Sequence, residues 1–478
     1  MPRLDKRERL RQPHIDIPNR PPPERVTDFC EVTLTYSPEQ AVAEATRCVE
    51  CTKAPCVVAC PLHNPIRDWL IHTMEGRFLD AAHLSQTTSN MPEICGRICP
   101  QDRLCEDVCI VGVKHPPVAI GAIEKFINEY AFALEGLPLP AIAPPSGHRV
   151  AVVGSGPAGL ACAEELTKRG HRVTVYDAYP RPGGLLRYGI PGFKLDRAVV
   201  DRRVQYLTRL GVEFVGDTRI GREVTLDGLL DGGFHAVFLG TGATAPKRPG
   251  LPGIDLNGVE DALPFLVRNN PDGSAARQDD LRGCRVVVLG GGDTAMDCVR
   301  TAKRLGATTV TCVYRRDEAN MPGSRREVQS AKEEGVDFQW LTAPIRFVDN
   351  GVGTVRAIEC VRMRLGEPDA QGRRRPVTVE GSNVEIDVDL AILAFGFDGS
   401  PVPGANGPEV TGSQTYVIDQ HAMTTRRGVF AGGDAVRGPD LIVTALHDGR
   451  RAAEAIHSYL NTLDYRTLDY RDGSSTTR

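Results

Sequence analysis

From residue 149 onward, short continuous apolar runs recur, each closed by glycine and followed by a segment of helical periodicity. Arg149–Val153 leads directly into Gly154-Ser155-Gly156-Pro157-Ala158-Gly159, which opens a helix to about Arg169. The next run, Arg172–Tyr176, ends in Asp177. The same grammar returns as Arg285–Leu289, then Gly290-Gly291-Gly292-Asp293-Thr294-Ala295, a helix to about Leu305 and the run Thr309–Tyr314. Short apolar runs bounded by glycine are the pattern of strands covered on both faces, and their alternation with helices predicts parallel sheets in an α/β fold. Ala236–Leu239 and Leu390–Leu393 each end at a glycine-bearing turn, Val429–Ala431 precedes Gly432-Gly433-Asp434, and Ala445 to Gly449 begins the last helix. This order predicts one dinucleotide-binding domain over 149–245, a second inserted over 246–395, and completion of the first over 396–460.

The pattern before residue 149 is different. Residues 1–25 form a polar arm with seven Lys/Arg, four Asp/Glu and six Pro, and no apolar core of a secretory signal. Ser37-Pro38-Glu39-Gln40 reads as a capping box with proline at the first helical position, so a helix runs to Arg47 and delivers Cys48 at its end. Pro92–Cys99 and Leu104–Val108 read as short helical turns, the second placing Cys105 and Cys109 on one helical face. A helical domain over 1–140 follows, then a Pro-rich linker over 137–148. The end of the chain, 461–478, repeats TLDYR and closes in GSSTTR, the composition of a flexible tail.

The two glycine-rich turns carry chemistry because each sits between a strand and a helix. Their glycines allow a tight turn and close approach of the backbone to a pyrophosphate at the helix N-terminus. In the first unit Gly154, Gly156, Pro157, Ala158 and Gly159 are the candidate phosphate cradle, and Asp177, 23 residues after Gly154, is the acid that accepts from ribose hydroxyls. An acid after a strand and Gly432-Gly433, here Asp434, can bind the ribityl–phosphate region of a flavin, so Gly433 and Asp434 are candidates and this unit is read as FAD-binding. In the second unit the cradle is Gly290, Gly292, Asp293, Thr294 and Ala295, but its second strand ends in Arg315-Arg316 rather than an acid. Arginine pairs with a 2′-phosphate, which points to NADPH. The plain alternative is a pair of solvated charges neutralised by Asp317 and Glu318.

Of 14 cysteines, eight lie between Cys48 and Cys109. Cys48, Cys51, Cys56 and Cys60 read C-x2-C-x4-C-x3-C-P; Cys95, Cys99, Cys105 and Cys109 read C-x3-C-x5-C-x3-C. With no export signal the expected location is cytoplasmic and reducing, so metal comes before disulfide. Zinc favours paired C-x2-C knuckles, of which there is one here. The first group instead resembles the bacterial ferredoxin run, in which the fourth cysteine ligates the other cluster. Two [4Fe–4S] clusters are the expectation, with zinc as the alternative. A net charge of −4 gives no basis for a nucleic-acid surface, and no apolar run reaches the length of a membrane span.

With these motifs in hand, the chain resembles the family of small (β) subunits of NADPH-dependent glutamate synthases. It is also similar to the N-terminal half of dihydropyrimidine dehydrogenases and the large subunit of NADH-dependent ferredoxin–NADP oxidoreductases. The resemblance covers about residues 25–460 and is carried by Glu93–Glu106, Gly183–Leu195, Gly290–Arg300 and Tyr314–Val328. It implies that Cys48, Cys51, Cys56 and Cys109 hold one cluster. Cys60, Cys99 and Cys105 would hold the other with Glu124, leaving Cys95 spare, although as a thiolate Cys95 suits iron–sulfur better than a carboxylate. It further implies that Gly184, Leu185 and the turn Tyr188–Pro191 line the flavin and that Lys194 meets its phosphates. Hydride transfer between stacked rings requires no side-chain acid, so no catalytic acid or base is expected. The implied function is electron input to a large FMN-containing glutaminase/synthase subunit. A ferredoxin or a pyrimidine-reducing subunit is the alternative outlet, and a zinc-bound, flavin-free interaction protein the alternative class.

Overall fold

The computed structural model describes residues 4–136, 138–270, 278–368, 374–404 and 406–472, with side chains through Thr462. Its helical N-terminal region packs Pro38–Thr46, Ile66–Met74, Phe78–Gln86 and Ile120–Glu135 around Trp69, Ile123 and Phe126, while Pro92–Ile98 packs on Ile120–Glu135 and buries Ile94 and Cys95 in the core of the first dinucleotide unit. The capping box at Ser37 forms: Ser37 Oγ accepts from the Gln40 N–H at 3.2 Å, and Gln40 Oε1 accepts from the Ser37 N–H at 2.9 Å. The helix it starts ends at Thr46, two residues before Cys48.

Leu104–Val108 is a turn and not the expected helix, and Cys105 and Cys109 share no helical face. Leu104 (φ −127°, ψ −114°) lies outside the helical region and Cys109 (φ −63°, ψ 125°) is extended, so the chain turns away at both ends of the segment.

The rest is two nested parallel sheets. The chain lays down β1 (Arg149–Val153), β2 (Arg172–Tyr176), β3 (Glu213–Val215) and β4 (Ala236–Leu239), then leaves through β5 (Ala245–Pro246). It continues through β6 (Val259–Asp261), β7 (Arg285–Leu289), β8 (Thr309–Val313), β9 (Asp337–Gln339), β10 (Thr342–Asp349), β11 (Val355–Pro368), β12 (Arg374–Asp387) and β13 (Leu390–Leu393). It returns through β14 (Phe397–Asp398) to β15 (Val429–Ala431). The sheet orders are β15-β4-β1-β2-β3 and β6-β13-β7-β8-β9. The outgoing and returning crossings lie side by side, β5 antiparallel to β14, with Phe397 opposite Pro246. In each sheet the glycine-rich turn follows a strand whose neighbours are an early and a late strand, the switch point at which open α/β sheets bind ligands.

The antiparallel sheet β10-β11-β12 has no counterpart in the apolar-run pattern. The 14-residue strand β12 is almost wholly exposed and so writes no continuous apolar signal. The final helix begins at Ile442, earlier than expected, where Thr444 Oγ1 donates to Asp440 Oδ2 at 2.9 Å and accepts from the Leu441 N–H at 3.2 Å. It runs to Asp472, so the segment read as a flexible tail from 461 is helical that far; GSSTTR, 473–478, lies outside the described residues. No helix of the described residues is long and apolar enough to cross a membrane.

Candidate functional site

A cavity of about 900 Å³ opens between the two sheets and the cysteine-bearing region. Gly154, Gly156, Pro157, Ala158, Asp177, Gly184, Leu185, Lys194 and Asp434 all line it, and so do Asp293 and Thr294. The two turns are built alike. A Cβ on Gly154 (φ +98°) would sit 2.3 Å from the Gly240 carbonyl oxygen, and one on Gly290 (φ +149°) 2.3 Å from that of Ala394. Each first glycine therefore packs its turn onto the end of the neighbouring strand. At the middle glycines, Gly156 and Gly292, a Cβ would meet nothing within 4 Å, which leaves the backbone N–H groups open to close approach. Gly159 packs its helix onto Gly154, with 1.9 Å between an added Cβ and the Gly154 carbonyl oxygen, whereas the second unit accommodates a fully buried Ala295. Gly433 is packed on Ala158, its Cβ position 2.8 Å from that of Ala158.

The acids sit where the chain ends its strands. Asp177 is buried, and its Oδ2 accepts from the Ser155 N–H at 2.8 Å and from the Ser155 hydroxyl. Its Oδ1 accepts from the Tyr179 N–H at 2.9 Å. Burial pushes Asp434 up to about 7. Lys194, expected at the flavin phosphates, instead donates to Asp297 of the second unit at 2.8 Å, with Glu327 at 3.6 Å. Burial opposes its charge, yet these carboxylates raise its pKa overall. Lys194 thus ties the two dinucleotide units together. On the far side Arg315 is exposed, and the Arg316 Nε is buried with no hydrogen-bond partner. The neighbouring acids are occupied elsewhere: Asp317 accepts from Asn320 at 3.0 Å and Glu318 pairs with Lys332 at 2.6 Å.

The cysteines act on one another in two sets, joined where Cys56 and Cys60 both lie near Cys105. Burial raises Cys48 to about 11, with Cys51 and Cys109 adding to the shift. It raises Cys56 to about 12, with Cys48, Cys109 and Cys51 adding. Cys60 is raised to about 11 by burial, with Glu124 and Cys95 adding. Cys99 is raised first by its contact with Cys95 and then by burial, and Cys105 by burial with Glu106 and Glu124 adding. A second, small cavity is lined by Cys60, Cys95, Cys99, Cys105 and Glu124. A group of thiols gathered around one small cavity is the donor set of a soft metal centre, which takes them as thiolates. Among the described residues no three His, Cys, Asp or Glu are placed to hold a single metal ion. Burial pushes Glu124 up to about 8, and no group among the described residues donates a hydrogen bond to its carboxylate. Cys95 is 4% exposed, packed with Met91 and Ile94, its Sγ 3.9 Å from Ser89 Oγ.

The sequence reading did not anticipate the bridge between the cysteine region and the nucleotide site. Cys99 and Gln101 line both cavities. Gln101, Asp102, Arg103 and Glu106 all contact the segment 322–326, more than 200 residues away, a separation at which local pattern carries no signal.

Paired dinucleotide turns at switch points, joined to a cysteine-lined helical region, define a pyridine-nucleotide oxidoreductase with an N-terminal iron–sulfur domain. The comparisons agree: residues 25–135 match dihydropyrimidine dehydrogenase domain II, 4Fe-4S cluster, and residues 148–449 match pyridine nucleotide-disulphide oxidoreductase. The glutamate synthase [NADPH] small chain of Escherichia coli is 46% identical, over 93% of this chain and 97% of that one. The putative oxidoreductase AegA of the same organism is 46% identical over 91% of this chain and 68% of its own. Among solved structures, Mycobacterium tuberculosis FprA in complex with NADPH has a TM-score of 0.58 at 20% identity, over 67% of this chain and 86% of that one, a likeness of fold. The chain belongs to the family of glutamate synthase NADPH small chains.

Proposed function

We propose that the chain is the electron-input subunit of a glutamate synthase. It would oxidise NADPH at its FAD and pass single electrons through two [4Fe–4S] clusters to a large FMN-containing glutaminase/synthase subunit, which forms L-glutamate from glutamine and 2-oxoglutarate. The observation that carries this reading is the wall shared by the two cavities, with Cys99 on both. Bound there, the cofactors supply two-electron hydride acceptance on one side and one-electron transfer on the other.

The chain's own residues bind and orient. Gly156 and Gly292 leave open backbone for the two pyrophosphates, and Asp177 stands ready for ribose hydroxyls. Arg315 and Arg316 would take the 2′-phosphate, supported by the unpartnered Nε of Arg316 and by the other engagements of Asp317 and Glu318. The double change Arg315→Ala/Arg316→Ala is expected to raise the NADPH KM roughly 100-fold, the loss of two charge-assisted contacts, and the NADH KM far less. Equal changes in both would remove the 2′-phosphate role.

Cys60, Cys99, Cys105 and Glu124 would hold the inner cluster, beside the flavin cavity, and Cys48, Cys51, Cys56 and Cys109 the outer one. Both Glu124 and Cys95 line the small cavity; Glu124 is favoured because its buried carboxylate has no hydrogen-bond donor among the described residues, whereas the Cys95 thiol already has Ser89 and Cys99 as neighbours. Cys95→Ser is therefore expected to keep the full iron content and both cluster signals in electron paramagnetic resonance. Loss of one signal would transfer the fourth position to Cys95. The outer group is flanked by Val58, Ile110 and Val113, exposed by 68%, 50% and 76%, on segments adjoining its cysteines. Such an apolar rim suits a docked protein acceptor.

AegA matches this chain as closely as the glutamate synthase relative does, so another acceptor is the second reading. Anaerobic native pull-down, mass spectrometry and an NADPH-driven glutamate assay on the eluate separate the two. A large co-purifying subunit with glutamate formed from glutamine and 2-oxoglutarate supports the proposal. A ferredoxin or different oxidoreductase with no glutamate formed overturns it.

A further inference from the structure

The segment Met321–Arg326 lies over the second glycine-rich turn: the Gly323 N–H donates to the Gly291 carbonyl at 3.0 Å, and the Ser324 N–H to Asp293 Oδ1 at 2.8 Å. Ser324, Arg325 and Arg326 form part of the cavity wall. Within the second unit these bonds, with the Tyr314 hydroxyl donating to the Asn320 carbonyl at 2.9 Å, hold one side of the segment; the other side is supported from outside the unit. That support comes from the loop between Cys99 and Cys105. Arg103 donates to the Pro322 carbonyl at 2.5 Å and to Asp293 Oδ2 at 3.4 Å. Asp102 Oδ2 accepts from the Arg325 N–H at 3.1 Å. Arg326 donates to Gln101 Oε1 at 3.2 Å and to the buried Glu106. Glu106 in turn accepts from the Gly121 N–H at 3.0 Å, at the start of the helix that carries Glu124.

We propose that the loop 100–106, pinned at both ends by the inner-cluster cysteines, positions the nucleotide-binding segment 321–326, with Arg103 and Asp102 as its positioning residues. The inference rests on the reading of the second turn as the NADPH site. The physical argument is entropic. The segment is irregular over Met321–Ser324 and contains Pro322 and Gly323; such a stretch costs affinity if it must be ordered at the moment of binding, and contacts that order it beforehand lower that cost. Arg103 is not itself part of the cavity wall, so it acts through Pro322 and Asp293. One consequence is that the cluster-bearing domain and the nucleotide site are coupled by structure as well as by electron flow.

The test is NADP⁺ binding to the full-length protein carrying flavin and clusters, followed by perturbation of the flavin absorbance. Arg103→Ala and Asp102→Ala are each expected to raise the NADP⁺ Kd roughly 10-fold, with iron and flavin content unchanged. Hydrogen exchange should quicken in peptides covering 318–328 and not in those covering 150–170. Arg103→Lys, which keeps the charge but not the forked donors, should recover only part of the affinity. An unchanged Kd in both alanine variants overturns the proposal. So does loss of iron in both, which assigns the loop to cluster retention alone. If the wild type itself gives no NADP⁺ response, it is the nucleotide assignment that fails.

Discussion

A Gly156→Val protein is expected to fold, carry iron and lack flavin, with NADPH oxidation reduced at least about 100-fold, the factor that corresponds to roughly 3 kcal/mol of lost cofactor binding. The expectation rests on what surrounds the residue. A Cβ there would meet no protein atom within 4 Å, so the fold has no reason to resist the change. Its backbone (φ −70°, ψ −177°) is open to any residue. The new methyls would instead fill the cavity beside the first turn, where the backbone must approach a pyrophosphate closely. Gly159 makes the contrast: an added Cβ would lie 1.9 Å from the Gly154 carbonyl oxygen, backbone against backbone, and Gly159→Val should damage folding itself. Absorbance at flavin wavelengths, iron content and circular dichroism on the two variants check this. A Gly156→Val protein that retains flavin would place the FAD elsewhere.

The second large effect lies at Glu334, which closes the helix Arg325–Glu333 and is fully buried among three arginines. It accepts from Arg25 at 2.9 Å, Arg300 at 2.7 Å and Arg304 at 2.8 Å. Arg25 comes from the N-terminal arm, so this carboxylate joins the first residues of the chain to the second dinucleotide unit. Phe193 of the first unit lies under Arg304, its ring centroid 3.9 Å away. Removing one partner from a buried ionic group leaves the other charges uncompensated, at a cost of about 3–5 kcal/mol. Glu334→Gln is therefore expected to lower the melting temperature of the second unit by roughly 10 °C at neutral pH. Burial opposes ionisation of Glu334, but Arg300 and Arg304 dominate and hold its pKa at about 2 against an ordinary 4.5. The folded value is the lower one, so the unfolded chain takes up the proton first. The stabilisation is complete above pH 4.5 and is lost as pH falls toward 2. Glutamine does not titrate, so the gap between wild type and variant should narrow across that window. A gap that stays constant down to pH 2 would show that Glu334 acts by packing and not by charge.

Much of the nucleotide machinery was legible in the sequence because it is local. A strand, a glycine-rich turn and a helix occupy about 20 consecutive residues; Gly154 and Gly290 are required by the adjoining strand and Gly159 by Gly154, while the middle glycines leave open space. The cysteines were legible as ligands for the same reason. Their division was not. By spacing, Cys109 belongs with Cys105, four residues earlier, yet it is Cys48 and Cys56 whose ionisation its charge opposes. The backbone leaves the helical region at Leu104 and is extended at Cys109, and no periodicity records such a bend. Lys194 shows the same limit: a lysine near a flavin turn reads as a phosphate ligand, but the partner that claims it, Asp297, is 103 residues away.

By itself, then, the sequence determined the order of the core strands β1, β2, β4, β7, β8, β13 and β15, the nesting of one dinucleotide unit in the other, both glycine-rich turns and the set of candidate ligands. Each of these depends on residues within a turn or two of one another. Only the tertiary structure decided that Cys99 borders both cavities and that the loop 100–106 braces 321–326. It also decided that Glu334 gathers arginines from two distant segments. These are contacts between surfaces that meet only once separate cores have packed, where the choice of partner is set by shape and charge across hundreds of residues and leaves no periodic trace in the chain.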